Sequence, residues 1–278
     1  MALTVNSNLS ALASANTLNR TQGALSHTLA RVSTGLRVTS AADDAAGSAV
    51  ATNLATQARS GRQAIRNAND GISVIQTAEA ATKEVLSILD RMRELAVQSS
   101  SETLENGERS YLDAEAADLS AEVERISAAT QFNDIALSDG TNASLTVQVG
   151  VTSGTESEVA ITLGNLKATN LGVDTGATGI DLSTATAAQL GIDLVDAAID
   201  SVNSMRADYG STQNRLGSAL NNMTSYVESL TSAASQIMDA DYAHETAEMT
   251  RLQVMQQAGV AALAQARTIN QSVISLLG

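Results

Sequence analysis

The chain has 278 residues with no Cys, Pro or Trp, and its 2% aromatic content sits beside a 44% hydrophobic fraction carried mainly by Ala, Leu, Ile and Val. That length can bury a core without disulfides or metals, and a core almost without rings is one of helix against helix. A formal charge of −14 repels nucleic-acid backbones and anionic membranes, no apolar run is long enough to cross a bilayer, and the N-terminus lacks the pattern of a cleavable secretory signal.

Residues 1–42 carry Arg20, Arg31 and Arg37 and no acid, a mildly cationic arm on an acidic body. Within it Leu18, Leu25, Leu29, Val32 and Leu36 follow a heptad seam, which predicts a helix awaiting a partner. The next helix is predicted from a 3-4 alternation through Ile65, Ala68, Ile72, Ile75, Leu86, Leu89 and Ala96, with Glu79, Thr82 and Arg93 in the same register. Gly61 and Gly71 each lower helix propensity by about 1 kcal/mol, which the stripe outweighs. A turn over Ser99–Gly107 and a shorter amphipathic stretch at Leu112, Ala116, Leu119, Val123 and Ile126 complete a helical hairpin.

From Gly140 to Gly191 charge falls, glycine becomes frequent and the heptads stop. Period-two alternation at Leu145, Val147, Val149, Val151 and at Val159, Ile161, Leu163 predicts short strands and hairpins in a β region at about 135–191, expected to face solvent. Beyond it the 3-4 spacing runs from Val195 to Ile237 for six heptads, roughly 65 Å of helix at 1.5 Å per residue. The last segment repeats the pattern at Met249, Leu252, Gly259, Leu263, Ala266, Val273 and Leu277, flanked by a second line at Met255, Ala262, Ile269 and Leu276. A stripe that wide needs cover on two sides.

The fold expected is mainly α: long antiparallel helices in a coiled-coil-like bundle, with a small β-hairpin region in mid-chain. Residues 1–42 and 238–278 are expected to pair into a terminal coiled-coil domain, and residues 43–237 to form a helical bundle domain. Two Ala-rich terminal helices cannot make a thick core alone, so apolar surface should remain for neighbouring copies.

Chemistry-bearing constellations are scarce. His27 lies among Ser and Thr on the first helix. Asp239, Asp241, His244 and Glu245 fall close together, but Asp239 lies on a different helix face from the others, and an acid-rich helix start explains them better than a metal site. Asp43 and Asp44 after Ser40 read as a capped helix start. No phosphate-binding, dinucleotide, nucleophile-elbow or zinc-protease motif occurs, so no catalytic residue, cofactor or metal is predicted and the chain is not read as an enzyme.

Five blocks, in order, span about four-fifths of the chain: Val32–Gly47 (VSTGLRVTSAADDAAG), Arg66–Glu79 (RNANDGISVIQTAE), Arg91–Ser99 (RMRELAVQS), Gln213–Leu216 (QNRL), and Asp239–Ala243 (DADYA) with Gln256–Gly259 (QQAG). In these the sequence resembles bacterial flagellin, in a short form without large outer variable domains. It departs from the family pattern at Ala80, where Gly is frequent, at Asn270, where Pro is frequent, and at His244, where small or β-branched residues are usual. The resemblance implies a subunit of the flagellar filament, the helical propeller of swimming, exported through the flagellar type III channel to an extracellular filament. It implies as partners further copies of the chain, an export chaperone, cap and hook-junction proteins, and the flagellin-sensing Toll-like receptor of hosts, with neither nucleic acid nor membrane. Receptor contacts carry over by resemblance onto Arg91, Leu95 and Glu115. Filament-core packing is expected at Leu18, Leu25, Leu29, Val32, Leu36, Met249, Leu252, Leu263, Val273 and Leu277. A hook–filament junction protein would share the terminal pattern but match the middle blocks less well, and a cytoplasmic helical rod would explain the heptads but not the β region.

Overall fold

The computed structural model describes residues 8–175 and 179–277, with side chains up to residue 268. Its elements are α1 (Leu9–Thr34), α2 (Ala45–Ser99), α3 (Asn106–Ala129), β1 (Gln131–Phe132), β2 (Ile135–Ala136), β3 (Ser144–Gln148), β4 (Glu158–Thr162), α4 (Ala168–Leu171), α5 (Ala185–Met238) and α6 (Tyr242–Leu277), with a single 3-10 turn before β4. Two compact units result, one formed by residues 1–57 with 228–278 and the other by Ala58–Val227, so the division falls inside α2 and α5.

In the terminal unit α1 and α6 run antiparallel. The Asn8 side chain donates to the Ala266 carbonyl at 2.9 Å, Gln256 donates to the Gln22 side chain, and Arg31 Nη1 donates to Glu245 Oε1 at 3.3 Å. Thr21 and Thr28 on α1 and Glu245 and Leu252 on α6 are buried, and Leu18, Leu25, Val32, Met249 and Leu263 are half-buried on the same 3-4 lines. Gly259 makes the approach close: a Cβ there would sit 3.3 Å from Leu18 Cδ1. Leu29 lies off this seam and is exposed.

The junctions between helices tie to each other. Gly35 ends α1 at φ 71, a left-handed cap that favours glycine. Leu36 then bridges Asp239, the Arg37 N–H donates to the Met238 carbonyl at 2.6 Å and its guanidinium to Ile237 O, and the Ala240 N–H donates to Gly35 O at 3.0 Å. Asp43 accepts from Thr39 and Ser40, which holds its carboxyl below the usual range, while Asp44 accepts from the Gly47 N–H at 2.8 Å and caps α2. Asp241 caps α6 through the Ala243 and His244 N–H groups. Of the acidic residues at these two points, Asp44 and Asp241 are helix caps, Asp43 closes the turn before α2, Asp239 accepts from the Ser235 hydroxyl and Glu245 pairs with Arg31.

In the unit of residues 58–227, two apolar clusters lie along α2 and α5. One joins Val85, Leu89, Met92 and Leu95 to Ala116 and Val123 of α3, to Leu166, Leu171, Val173, Ile180 and Leu182, and to Val195 and Val202 of α5. The other joins Ala68, Ile75 and Ala78 to Val159, Ile161 and Leu163 of the hairpin and to Tyr209 and Leu216 of α5. Strands β3 and β4 pair antiparallel with Leu145 opposite Ile161 and Val147 opposite Val159, as their alternation predicts. A smaller hairpin, β1–β2, turns through Asn133 and Asp134, both at positive φ. The Tyr209 hydroxyl accepts the Gly164 N–H at 3.0 Å, and burial pushes its phenol above the ordinary value, so it stays protonated.

Two sequence expectations change here. The buried line of α2 contains Ala68, Ile75, Thr82, Leu89 and Ala96, but its companion line is Gly71, Ala78, Val85 and Met92, not Ile72, Glu79, Leu86 and Arg93. Close approach decides this: a Cβ on Gly71 would lie 3.0 Å from Val147 Cγ2 and 3.4 Å from Leu216 Cδ1. Bulky Ile72 and Leu86 stand at the edge of the seam, and Arg93 points out to a bidentate pair with Asp196 at 2.6 and 3.2 Å. Nor does the glycine-rich stretch all face solvent. Beyond β4 the chain lays Leu166, Leu171, Val173, Ile180 and Leu182 into the core, pinned where Asp113 and Glu124 of α3 accept the Leu182 and Ala168 N–H groups.

Glycine replacements should separate packing from propensity. Gly210 has open space, so Gly210→Ala should stabilise the chain by up to about 1 kcal/mol. At Gly61 a Cβ would stand 2.5 Å from Val227 Cγ2, so Gly61→Ala should destabilise by ~1–3 kcal/mol in urea melts. In the terminal unit, Glu245→Ala leaves Arg31 without its carboxylate and should cost ~1–3 kcal/mol, less than a fully buried pair because the Arg31 side chain is 32% exposed. An Arg31→Met/Glu245→Leu double variant should recover most of that loss in thermal melts followed by circular dichroism.

Candidate functional site

Two surfaces carry the residues expected to function. The first is the outer side of the α1–α6 pair. Leu18, Leu25 and Val32 turn inward toward α6 and Leu252 toward α1, with Met249 and Leu263 half-covered, and Leu36 half-buried in the junction bridge. This seam consumes one apolar line from each helix. Outside it Leu9, Leu12 and Leu29 on α1 and Tyr242, Val254, Met255 and Val260 on α6 remain 41–67% exposed. The side chains of Val273 and Leu277, like those of Ile269 and Leu276, lie outside the described residues.

This arrangement follows from the composition of the seam. A two-helix contact buries a single narrow line on each partner. Here that line is thinned further by Thr21, Thr28, Gln256 and Gly259, leaving the larger side chains off it uncovered.

The second surface is on α2 and α3. Arg91 Nη2 and Nε donate to Glu115 Oε1 at 2.7 and 3.1 Å, and Nη1 donates to Glu94 Oε2 at 3.0 Å. These carboxylates raise the Arg91 pKa further above its ordinary value, Glu115 contributing most, and all three groups are solvent-exposed. Leu95, one turn from Arg91, is fully buried in the apolar cluster. The structure therefore brings Arg91 and Glu115 together at the surface and puts Leu95 beneath them.

Arg109 escaped the sequence reading. It is 6% exposed and donates to the Ser99 carbonyl at 2.9 Å, the Ser101 carbonyl at 2.8 Å and Asn106 Oδ1 at 3.0 Å, tying the α2–α3 turn to α3. Its partners are mostly backbone oxygens, which leave no pattern in a sequence. The α3 start carries a reciprocal box between Glu105 and Glu108, also missed in the sequence because Glu105 stands where the usual signature has Ser or Thr.

Among the described residues no group of three or more His, Cys, Asp or Glu is arranged to hold a metal ion, and no helix is long and apolar enough to cross a membrane. A shallow groove between α2 and the loop joining β3 to β4 is lined by Gln63, Asn67 and Gln148. These amides are engaged within the protein, Asn67 donating to the Gln148 carbonyl at 3.1 Å and Gln148 to the carbonyls of Gly150 and Thr152 at 3.0 and 2.8 Å.

Comparison with known proteins gives the arrangement its context. Residues 5–143 match the bacterial flagellin N-terminal helical region, and residues 192–277 match the bacterial flagellin C-terminal helical region. The chain is 43% identical over 247 residues to a flagellin of Halalkalibacterium halodurans, covering 89% of each, and 36% identical over 283 residues to the flagellar filament 33 kDa core protein of Treponema phagedenis, covering 98% of this chain and 99% of that one. A solved Vibrio parahaemolyticus protein named as flagellar hook-associated superposes at a TM-score of 0.58 over 71% of this chain and 100% of that one, and at 16% identity it speaks to the fold alone. With both terminal helical regions matched and relatives aligned over nearly its full length, the chain belongs to the bacterial flagellin family, a family of structural proteins.

Proposed function

We propose that this chain is the structural subunit of an extracellular bacterial flagellar filament, adding to its neighbours by non-closing, heterologous contacts to form the propeller for swimming. The observation that carries the reading is the set of large apolar residues left outside the α1–α6 seam, on both helices of one unit. Scattered exposed apolar residues are ordinary on any surface. Seven on one helix pair, in a family that includes a named filament core protein, support burial against further copies. Export through the flagellar type III channel, with chaperone, cap and hook-junction proteins as partners, belongs to the same reading. Zero Cys and zero Pro are consistent with passage of an unfolded chain, since they remove disulfide traps and slow isomerisation.

Recognition by a host flagellin-sensing Toll-like receptor is the second part of the proposal. It rests on family resemblance and on the exposed Arg91–Glu115 pair, with Leu95 acting from below to hold the helix that presents Arg91.

Val260 is 54% exposed and off the seam, so Val260→Asp should leave the helical content and melting of the subunit unchanged. Filaments seen by electron microscopy after incubation at high concentration should disappear. Normal polymerisation of that variant, or closed rings as the sole product of the parent chain, would overturn the reading. For the receptor, Arg91→Ala should weaken binding about tenfold or more without loss of stability, whereas Leu95→Ala should cost roughly 2–5 kcal/mol of stability.

A further inference from the structure

The methionines differ sharply in environment. Met92 is fully buried, while Met205, Met223, Met238 and Met249 are half-buried. Met223 and Met205 pack their sulfurs over Gly61 and Gly164. Met255 alone among the described side chains is a methionine open to solvent, at 41% exposure. Its sulfur is also polarised by a charge. Arg251 Nη1 donates to Met255 Sδ at 3.1 Å, and Arg251 is itself held in place by Glu248, Nε donating to Oε2 at 2.7 Å and Nη2 to Oε1.

We propose that Met255 is an oxidation site for peroxides in the unassembled subunit, and that its sulfoxide reversibly blocks assembly. The assembly part rests on the filament reading above; the site itself does not. One sulfur lone pair accepts from Arg251, and the exposure of the side chain lets a peroxide reach the other. That second pair attacks one oxygen of hydrogen peroxide, forming the S–O bond as the O–O bond breaks. The transferred oxygen gives up its proton to the departing hydroxide, so the products are one sulfoxide and one water. Sulfur is oxidised by two electrons and the peroxide is reduced by two.

A sulfoxide oxygen is a much stronger acceptor than a thioether, so oxidation turns a weakly polar side chain into a strongly polar one. Its effect follows from place. Met255 begins the second apolar line of α6, and its described members, Met255 and Ala262, are left exposed by the seam with α1. Burying a sulfoxide there against an apolar neighbour takes a strongly polar group out of water, at a cost that burial of the thioether does not carry. Enzymatic reduction of the sulfoxide with a thiol regenerates the thioether, so the block is reversible.

The full-length chain, treated with graded hydrogen peroxide and mapped by peptide mass spectrometry, tests the site directly. Met255 should gain one oxygen before any half-buried methionine, with Met92 last. Oxidised chain should yield at least tenfold less pelletable polymer, restored by methionine sulfoxide reductase with a dithiol. Met255→Leu should polymerise equally with and without peroxide. The proposal falls if Met255 shows no preference, if chain with full Met255 sulfoxide polymerises normally, or if Met255→Leu remains as peroxide-sensitive as the parent. Should the untreated chain form no polymer at all, the filament reading fails, and the mass map still decides whether Met255 is the reactive methionine.

Discussion

Two helices in contact bury one line of side chains each, and a chain with one Phe and four Tyr has few rings with which to thicken that line. Everything else in this structure answers to that restriction. In the unit of residues 58–227 the answer is close approach: glycine and alanine on α2 let neighbouring side chains reach its backbone, so length and tight contact replace bulk. A third helix, a hairpin and an extended segment then supply the remaining cover. The terminal pair lacks those additions and ends with apolar side chains facing outward.

The polar residues inside the α1–α6 seam give that thin contact a direction. Threonine, glutamine and a buried glutamate bury less apolar area than leucine would, so the seam is weaker than its spacing alone suggests. What they add is register. Glu245 meets Arg31, Gln256 meets Gln22, and Gly259 accepts Leu18, pairings that a slide by one heptad would break together. Weak but specific pairing fixes the register of two helices while leaving their other faces open.

Much of this architecture was legible in the residues. The heptads of α5 from Val195 to Val227 place Val195, Val202, Tyr209 and Leu216 on one buried line, and the alternation of Leu145–Val147 against Val159–Ile161 gives the hairpin its register. Hydropathy misassigned half of the α2 line because it ranks Ile72 and Leu86 above Gly71 and Ala78, whereas packing at short interaxial distance ranks them the other way. The β1–β2 hairpin went unseen because its turn is Asn133-Asp134, without the glycine that usually marks such a turn. Arg109 went unseen because carbonyl partners have no sequence signature, and Leu95 could be placed near Arg91 but not above or below the surface. Spacing locates a residue on a face; only the neighbours decide whether that face is open.

The bridge between Leu36 and Asp239 joins residues about 200 positions apart. Closing a flexible loop of that length from a disordered chain costs about 5 kcal/mol of entropy. Yet the segment between them enters and leaves its own compact unit side by side, since Gly61 lies directly against Val227. Once that unit has formed, the remaining lengths of chain that must find each other are short, and α1 and α6 meet as near neighbours. Contacts that are long-range by numbering are local by order of events, so the termini can open and re-form without the long search that their separation in the sequence would require.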